Sequence, residues 1–270
     1  MSDISTFLQT VKLPVMPEVA QALIRTLNDG DADVPTVRNI IAKDPALTAT
    51  LMRMANSAIF GLSRTVETLD TAVSVVGMSQ IRARALSICM SQVFKFPQSM
   101  SRLEFWRNSM ACAGYSKWLA AHAGMDEQSA WLTGMMLRLG ELPIADKQIS
   151  ALEEIERLPR HPGERWSRER QQVGFDEGEI TAEIARRWDF PDAVTVALQS
   201  VAQPMLAKPF SRLAAVVHLG AWLADLPPDT EAPLSQCPHA VILALGLDLE
   251  SLAADLPTHE SVSDISTLHA

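Results

Sequence analysis

Helical periodicity is the feature that most constrains what this chain can fold into. Apolar residues recur at intervals of three and four along most of its length, as in the stripe of Val19, Leu23 and Leu27. The strict alternation that marks half-buried strands is nearly absent. Helix starts such as Asp44-Pro45 and helix stops such as Gly77 punctuate the pattern. The sequence therefore predicts an all-α protein.

The chain is predicted to form two packed helical lobes. The joint between them is predicted at Phe96-Pro97 and the polar residues that follow. The first lobe is expected over residues 12–97 and the second over residues 98–250. Residues 251–270, which include Pro257 and several serines, are expected to be a poorly ordered tail. Helices of the second lobe are predicted at 102–123, 127–139, 148–158, 164–173, 178–188, 192–202 and 210–224.

The charge and hydropathy of the chain argue against several classes of protein. A chain of 270 residues can bury a large core, but a formal net charge of −9 argues against a large nucleic-acid footprint. Its longest apolar runs, such as 213–219, are too short to span a membrane. The N-terminal residues 1–4 lack the basic and apolar regions of a signal peptide. A cytoplasmic protein is therefore expected.

The three cysteines do not suggest a metal or redox site. Cys89, Cys112 and Cys237 are widely separated and form no Cys-x-x-Cys pair, so neither a zinc ribbon nor a redox dithiol is indicated. Cys89 and Cys112 lie among apolar residues in helical segments. They are interpreted as small core hydrophobes, with a reactive thiol as the alternative.

An ordered set of motifs connects the chain to a known family. The N-terminal motifs are Leu13-Pro14-x-Met16-Pro17, Asp44-Pro45-Ala46-Leu47-Thr48, Leu51-x-x-Met54-Ala55-Asn56-Ser57, Gly61-Leu62 and Thr71-Ala72-x-x-x-Val76-Gly77. The later ones are Phe105-Trp106-Arg107-Asn108-Ser109, Gly134-Met135-Met136-Leu137-Arg138-Leu139-Gly140 and Gly174-Phe175-Asp176. Over residues 12–210 the chain resembles the HDOD family, the HD-related output domains of bacterial signalling proteins. The resemblance implies that the second lobe is an HD-like helical bundle.

The N-terminal motif residues are expected to have structural roles. These are Asp44, Pro45, Asn56, Ser57, Gly61 and Gly77. Asn and Ser side chains can satisfy free backbone groups at a helix end and fix the turn that follows. A direct ligand contact by the Asn-Ser pair is the alternative.

The resemblance also implies where a metal centre would lie. Catalytic members of the wider HD superfamily bind metal ions through His and Asp residues from several helices, and the metal activates water and clamps a phosphate. These ligand positions fall at Asn108, Leu137, Arg138 and Ala221 of this chain, and a catalytic lysine falls near Glu141. A leucine cannot ligate a cation, and an arginine brings positive charge to its place. The resemblance therefore implies a degenerate metal site without a cofactor.

A vestigial pocket is predicted where the metal centre would lie, as a candidate ligand-binding site. It would be formed by Asn108, Arg138, Glu141 and His218, and a small nucleotide is kept as a candidate occupant. His218 is interpreted either as a hydrogen-bonded core histidine or as a surviving ligand. One imidazole cannot hold a hydrolytic metal by itself, because such sites use three or more protein ligands.

The segment 72–84 has two interpretations. It could form a helix-turn-helix, with a turn at Gly77 and a second helix that carries Arg82 and Arg84. The acidity of the chain and the apolar character of the second helix argue against DNA recognition.

Two mixed-charge segments, 153–157 and 164–170, are interpreted as solvated helix faces. Their opposite charges stand three and four residues apart, which is typical of exposed ion pairs. A protein-docking surface around Trp166 is the alternative, since an aromatic residue among arginines is typical of interface anchors.

These observations together predict a non-catalytic signal-transduction module that contacts other signalling proteins in trans. Enzyme activity and membrane association are not expected. One alternative is a divergent metal-dependent phosphohydrolase acting on a nucleotide or cyclic dinucleotide. The other is a nucleic-acid-binding regulator.

Overall fold

The computed structural model describes residues 4–9, 11, 13–57, 65–147, 149–158, 163–266 and 268. These residues form α-helices linked by turns and short 3-10 helices, without a strand among them. The all-α prediction is confirmed. The α-helices are α1 (Ile4–Gln9), α2 (Glu18–Leu27), α3 (Val34–Ile41), α4 (Pro45–Ala55), α5 (Leu69–Val76), α6 (Met78–Val93), α7 (Arg102–His122), α8 (Glu127–Leu137), α9 (Glu141–Lys147), α10 (Ile149–Glu156), α11 (Glu164–Val173), α12 (Glu177–Arg187), α13 (Asp192–Ser200), α14 (Arg212–Asp225), α15 (His239–Leu245), α16 (Leu249–Ala254) and α17 (His259–Val262).

Side-chain caps explain where many of these helices begin. Asp44 accepts hydrogen bonds from the backbone N–H groups of Ala46 and Leu47, and Pro45 occupies the first turn of α4. Thr68 caps α5 in the same way, and Ser101 caps α7. The starts of these helices are therefore encoded locally.

The chain divides into two compact units. The larger unit comprises the described residues of Met1–Leu13, Lys95–Arg187 and Asp192–Asp264. The smaller unit comprises those of Pro14–Phe94, Trp188–Pro191 and Ile265–Ala270.

Helices α2–α6 form the smaller unit around an apolar core. Leu23, Ile41, Leu51 and Ile81 are fully buried there, and removing such side chains from water supplies the main driving force for packing. Gly77 joins α5 to α6 with a φ of 95°, a conformation that side chains disfavour. Its predicted role as a helix stop follows from this conformation.

Asn56 connects the end of α4 to the segment that leads into α5. Its amide Nδ2 donates to the carbonyl oxygens of Met52 (2.9 Å) and Val66 (2.8 Å). Its Oδ1 accepts from the N–H of Val66 at 2.7 Å. Ser57 follows with a backbone bond to Met54, and Gly61 lies outside the described residues. These bonds give Asn56 a structural role.

The larger unit is built on α7, against which α8 and α14 pack. Two glycines permit the close approach. A Cβ added at Gly134 of α8 would lie 2.8 Å from the Ser116 hydroxyl oxygen of α7, and one added at Gly220 of α14 would lie 2.2 Å from the same atom. Small residues at both contacts let three helix backbones come together.

The C-terminal residues differ from the expected poorly ordered tail. Asp248 and Thr258 cap two short helices, α16 and α17. Val262 packs so closely on α7 that a Cβ at Gly114 would lie 2.6 Å from its own. Asp255 also contacts α7, because its Oδ1 lies 3.2 Å from His122 Nε2. The prediction missed this order because the caps and the contacts on α7 outweigh a polar composition.

Candidate functional site

Arg138 lies at the centre of a buried charge cluster in the larger unit. Its side chain is 1% exposed, and it stands in the 3-10 turn Arg138–Gly140 between α8 and α9. One terminal nitrogen lies 3.1 Å from Glu177 Oε1, and the other lies 2.6 Å from Asp225 Oδ1. Glu141 is a third carboxylate neighbour, at 3.6 Å. The guanidinium thus joins residues of α9, α12 and α14.

A second arginine, Arg165 of α11, extends this cluster. Its Nε lies 2.8 Å from Glu169 Oε1 and 3.4 Å from Glu141 Oε1, and Glu156 pairs with its Nη1. Glu141 is therefore shared between the two arginines. We call the set of Arg138, Glu141, Glu156, Arg165, Glu169, Glu177 and Asp225 the charge cluster.

The charge cluster has more carboxyl groups than guanidinium groups, and burial affects the pKa values of both kinds of group. Burial raises the pKa of Glu177 well above its usual value, although Arg138 opposes the shift. Burial likewise raises the pKa of Glu169 against the effect of Arg165. Burial alone would lower the pKa of Arg138, but its carboxylate neighbours, Asp225 first among them, raise it.

The start of α12 is fixed against the 3-10 turn. A Cβ at Gly140 would lie 2.1 Å from the carbonyl oxygen of Glu177, so only glycine permits this approach. Thr181 donates its hydroxyl to the carbonyl of Leu137 at 2.9 Å. Trp166 Nε1 donates to Glu177 Oε1 at 2.8 Å. These contacts hold the Glu177 carboxyl group against Arg138.

His218 is buried in α14 rather than exposed to a pocket. Its Nδ1 lies 2.7 Å from the carbonyl oxygen of Val201, and its ring centroid lies 5.1 Å from that of Trp166 and 5.7 Å from that of Trp222. Burial lowers its pKa, so the ring is neutral near pH 7. This is the arrangement expected of a core histidine. Ala221, in the same helix, is fully buried.

A cavity of about 510 Å³ opens beside the charge cluster. Asn108 of α7 and Glu141 of α9 both line it, together with Ser99, Met100, Ser101, Glu104, Phe105, Arg107, Leu152, Glu156 and His259. Neither Arg138 nor His218 is among these lining residues. The four residues of the expected vestigial pocket are thus divided between a cavity wall, the charge cluster and the core.

The mixed-charge segment 164–170 is not the solvated face that we expected. Arg165, Trp166 and Glu169 are buried. Their burial is tolerated because Arg165 pairs with Glu169 and the indole N–H of Trp166 donates to Glu177. Trp166 is therefore no exposed docking anchor. The segment 153–157 is closer to the expected solvated face, because Glu154 and Arg157 form an exposed ion pair there, with 3.5 Å between Oε2 and Nη2.

The sequence analysis did not predict that Glu177 and Asp225 pair with Arg138. Glu177 lies 39 residues from Arg138, and Asp225 lies 87 residues from it. An arginine within the apolar run Met135–Leu139 was the available signal, since a buried guanidinium requires carboxylate partners. Asp225 also follows Ala221 by one helical turn.

The second helix of the segment 72–84 uses an arginine inside the smaller unit. Arg82 donates to the carbonyl oxygen of Thr26 at 2.7 Å, at the end of α2. Arg82 and Arg84 are both partly buried. This arrangement does not favour a DNA-reading helix.

The cysteines are buried, as the core interpretation of Cys89 and Cys112 predicts. Burial raises the pKa of Cys89 to about 11 and the pKa values of Cys112 and Cys237 to about 12. Thiols that remain protonated near pH 7 are poor nucleophiles.

Among the described residues, no group of three or more His, Cys, Asp or Glu side chains is arranged to hold a metal ion. Within that same part of the chain, no helix combines the length and the apolar character needed to cross a membrane.

Comparison with known families decides the assignment. The family model for the HDOD domain matches residues 13–204. The chain belongs to the HDOD family. An uncharacterized protein of Treponema pallidum (strain Nichols) is 24% identical over 187 residues, which are 67% of this chain and 36% of that protein. The chain thus spans only about a third of this relative.

Solved structures share the fold of this HDOD chain. One is a Shewanella amazonensis SB2B protein whose name assigns it provisionally to the phosphohydrolases; it has a TM-score of 0.77 and 26% identity, and the match covers 98% of both chains. A Geobacter sulfurreducens HDOD domain protein of unknown function has a TM-score of 0.75 and 20% identity, with 97% of this chain and 96% of that one covered. A Marinobacter aquaeolei VT8 protein, named provisionally for signal transduction, has a TM-score of 0.76 and 23% identity, with 94% and 59% covered.

Proposed function

We propose that this HDOD chain is a non-catalytic regulatory module that acts through contacts with other proteins. The observation that carries the proposal is the position of the Arg138 guanidinium. It lies between Glu177 and Asp225, at 3.1 and 2.6 Å, where the family resemblance places half of the His-Asp pair of HD enzymes. The HD-related fold is retained, but its chemistry is changed at this point.

The residues at this place do not fit a metal ion. Leu137 has no electron pair to donate, and a guanidinium is permanently cationic and donates only hydrogen bonds. The carboxylates nearest to the site, Glu177 and Asp225, already neutralise Arg138. A divalent ion would have to displace this arginine from a buried position and leave its charge unpaired, which is strongly unfavourable. We therefore derive no metal-dependent step for this chain.

The rival function is that of a divergent metal-dependent phosphohydrolase. The provisional name of the Shewanella amazonensis protein, to which the chain is 26% identical, favours this candidate. The cavity of about 510 Å³ beside Glu141 is large enough for a small ligand. Its walls carry both acidic and basic side chains, so they do not select a phosphate.

A turnover assay separates the two functions. The purified chain would be incubated with nucleotides and cyclic dinucleotides in the presence of Mn²⁺, Fe²⁺ or Zn²⁺, beside an Asp225→Asn variant. We expect the same background hydrolysis from both proteins. Metal-dependent turnover by the native chain that is lost in the isosteric variant would contradict the proposal and support the rival.

A further inference from the structure

An exposed apolar patch follows the 3-10 helix Pro204–Leu206 in the larger unit. Met205, Leu206 and Phe210 are 47%, 71% and 38% exposed, and the exposed Lys208 stands among them in the chain. We call these four residues the 205–210 patch. Single exposed apolar side chains are ordinary on a protein surface, whereas apolar side chains grouped on a surface mark interaction sites.

The backbone of this segment is held at both ends. Pro204 is buried, and the N–H of Leu206 donates to the carbonyl of Gln203 at 3.1 Å. At the other end, the Ser211 hydroxyl caps α14 by accepting from the N–H of Ala214 at 3.1 Å. The apolar side chains are therefore presented by an ordered turn. An ordered surface loses less conformational entropy on binding than a loose loop does.

The charge of the segment differs from that of the whole chain. The residues of the largely exposed segment 202–212 include Lys208 and Arg212 but no Asp or Glu, although the chain contains 32 acidic residues and has a net charge of −9. Arg212 donates to the carbonyl of Ala123 at 2.8 Å, and His218 is buried. Lys208 is thus the cation that the patch itself presents. An acidic partner would be attracted here and repelled by the protein as a whole, which favours this location.

We infer that the 205–210 patch is the docking site for an acidic, amphipathic segment of a partner protein. Apolar side chains of the partner would cover Met205, Leu206 and Phe210, and a partner carboxylate would pair with Lys208. The inference rests on the proposed regulatory function and specifies its interaction surface. A membrane or nucleic acid fits less well, because both require several cations to overcome a net negative charge.

Leu243 provides a matched control. It is also a large apolar residue of the larger unit, in α15, and it is 64% exposed. It lies outside the 205–210 patch and in a different helix. Non-specific binding to exposed leucines would occur at both positions equally, whereas binding to a docking site would occur at position 206 alone.

The test uses the photo-crosslinking residue p-benzoylphenylalanine, placed at position 206 or at position 243 of the full chain inside the cell that encodes it. Crosslinked peptides would be sequenced, and the captured segment would be synthesised and titrated against the purified chain. We expect capture at 206 but not at 243, of a segment that combines acidic and apolar residues. Leu206→Asp should weaken its binding at least about tenfold, whereas Leu243→Asp should leave it unchanged.

A charge swap completes the test. Lys208→Glu should weaken binding, and replacing the facing acidic residue of the peptide by lysine should restore it. Capture of a second copy of the chain, of lipid or of nucleic acid would overturn the inference. So would equal capture at both positions, or binding that neither patch variant weakens. None of these outcomes alters the turnover assay, so a failure of the docking site is distinct from a failure of the non-catalytic assignment.

Discussion

Arg138 is a buried cation whose charge must be balanced inside the protein. It is 1% exposed and contacts carboxyl groups from three helices. Burying a guanidinium is costly, and only paired carboxylates make it tolerable. The residue therefore acts as an internal counterion that stabilises the larger unit.

Replacing Arg138 alone should destabilise the protein severely. Arg138→Met leaves Glu177 and Asp225 buried without their cation, and we expect a loss of about 3–5 kcal/mol in the free energy of unfolding. The double variant Arg138→Met/Glu177→Gln should recover part of this loss, because one buried charge is removed with its partner. Urea denaturation measures both values. Equal stability of native and single-variant proteins would contradict the stabilising role.

Asp176 should make stability depend on pH. Burial, assisted by Glu179, raises its pKa from 3.8 to about 7, although Arg170 lies 2.5 Å away. The folded state therefore holds this proton more tightly than the unfolded state, so the contribution of Asp176 to stability falls as pH rises from about 4 to about 7. Asp176 Oδ1 caps α12 by accepting from the N–H of Glu179 at 2.9 Å. Asp176→Asn should retain this cap and remove the decline.

The measurement is the free energy of unfolding of both proteins at several pH values across that interval. The difference should move in favour of the Asn variant as pH rises. A difference that is constant with pH would show that Asp176 does not titrate in this range.

At the scale of elements, glycines bring the helices close enough to assemble the charge cluster. Gly134 and Gly220 allow α8 and α14 to approach α7 at Ser116, and Gly140 allows α12 to approach the 3-10 turn. The arginine and its carboxylates come from different helices, so their geometry depends on these contacts.

Gly140→Ala should disturb the start of α12. The new Cβ would lie 2.1 Å from the carbonyl oxygen of Glu177, a backbone atom that cannot rotate away, and relieving such overpacking costs about 1–3 kcal/mol or more. Gly30→Ala is the matched control, since no atom lies within 4 Å of a Cβ there. Thermal unfolding of both variants tests this, and equal melting temperatures would contradict the proposed close approach.

At the scale of the whole molecule, the sequence specified the helices better than it specified the site. Helix periodicity and caps are local, so the start of α4 at Asp44-Pro45 and the stop at Gly77 could be predicted. The burial of Arg165 and Glu169 could not, because their i,i+4 spacing also suits an exposed ion pair. Their surroundings depend on residues distant in the chain. The order of α16 and α17 was missed for the same reason, since it depends on contacts with α7.

We propose that Arg138 occupies the place of a metal ligand and excludes the ion. The metal content of the native chain, purified without chelators from cells supplied with Mn, Fe and Zn, tests it most directly by inductively coupled plasma mass spectrometry. We expect metal far below one equivalent per chain, with no increase on adding any of the three ions. Stoichiometric metal that is lost in the Glu177→Gln or Asp225→Asn variant would contradict it.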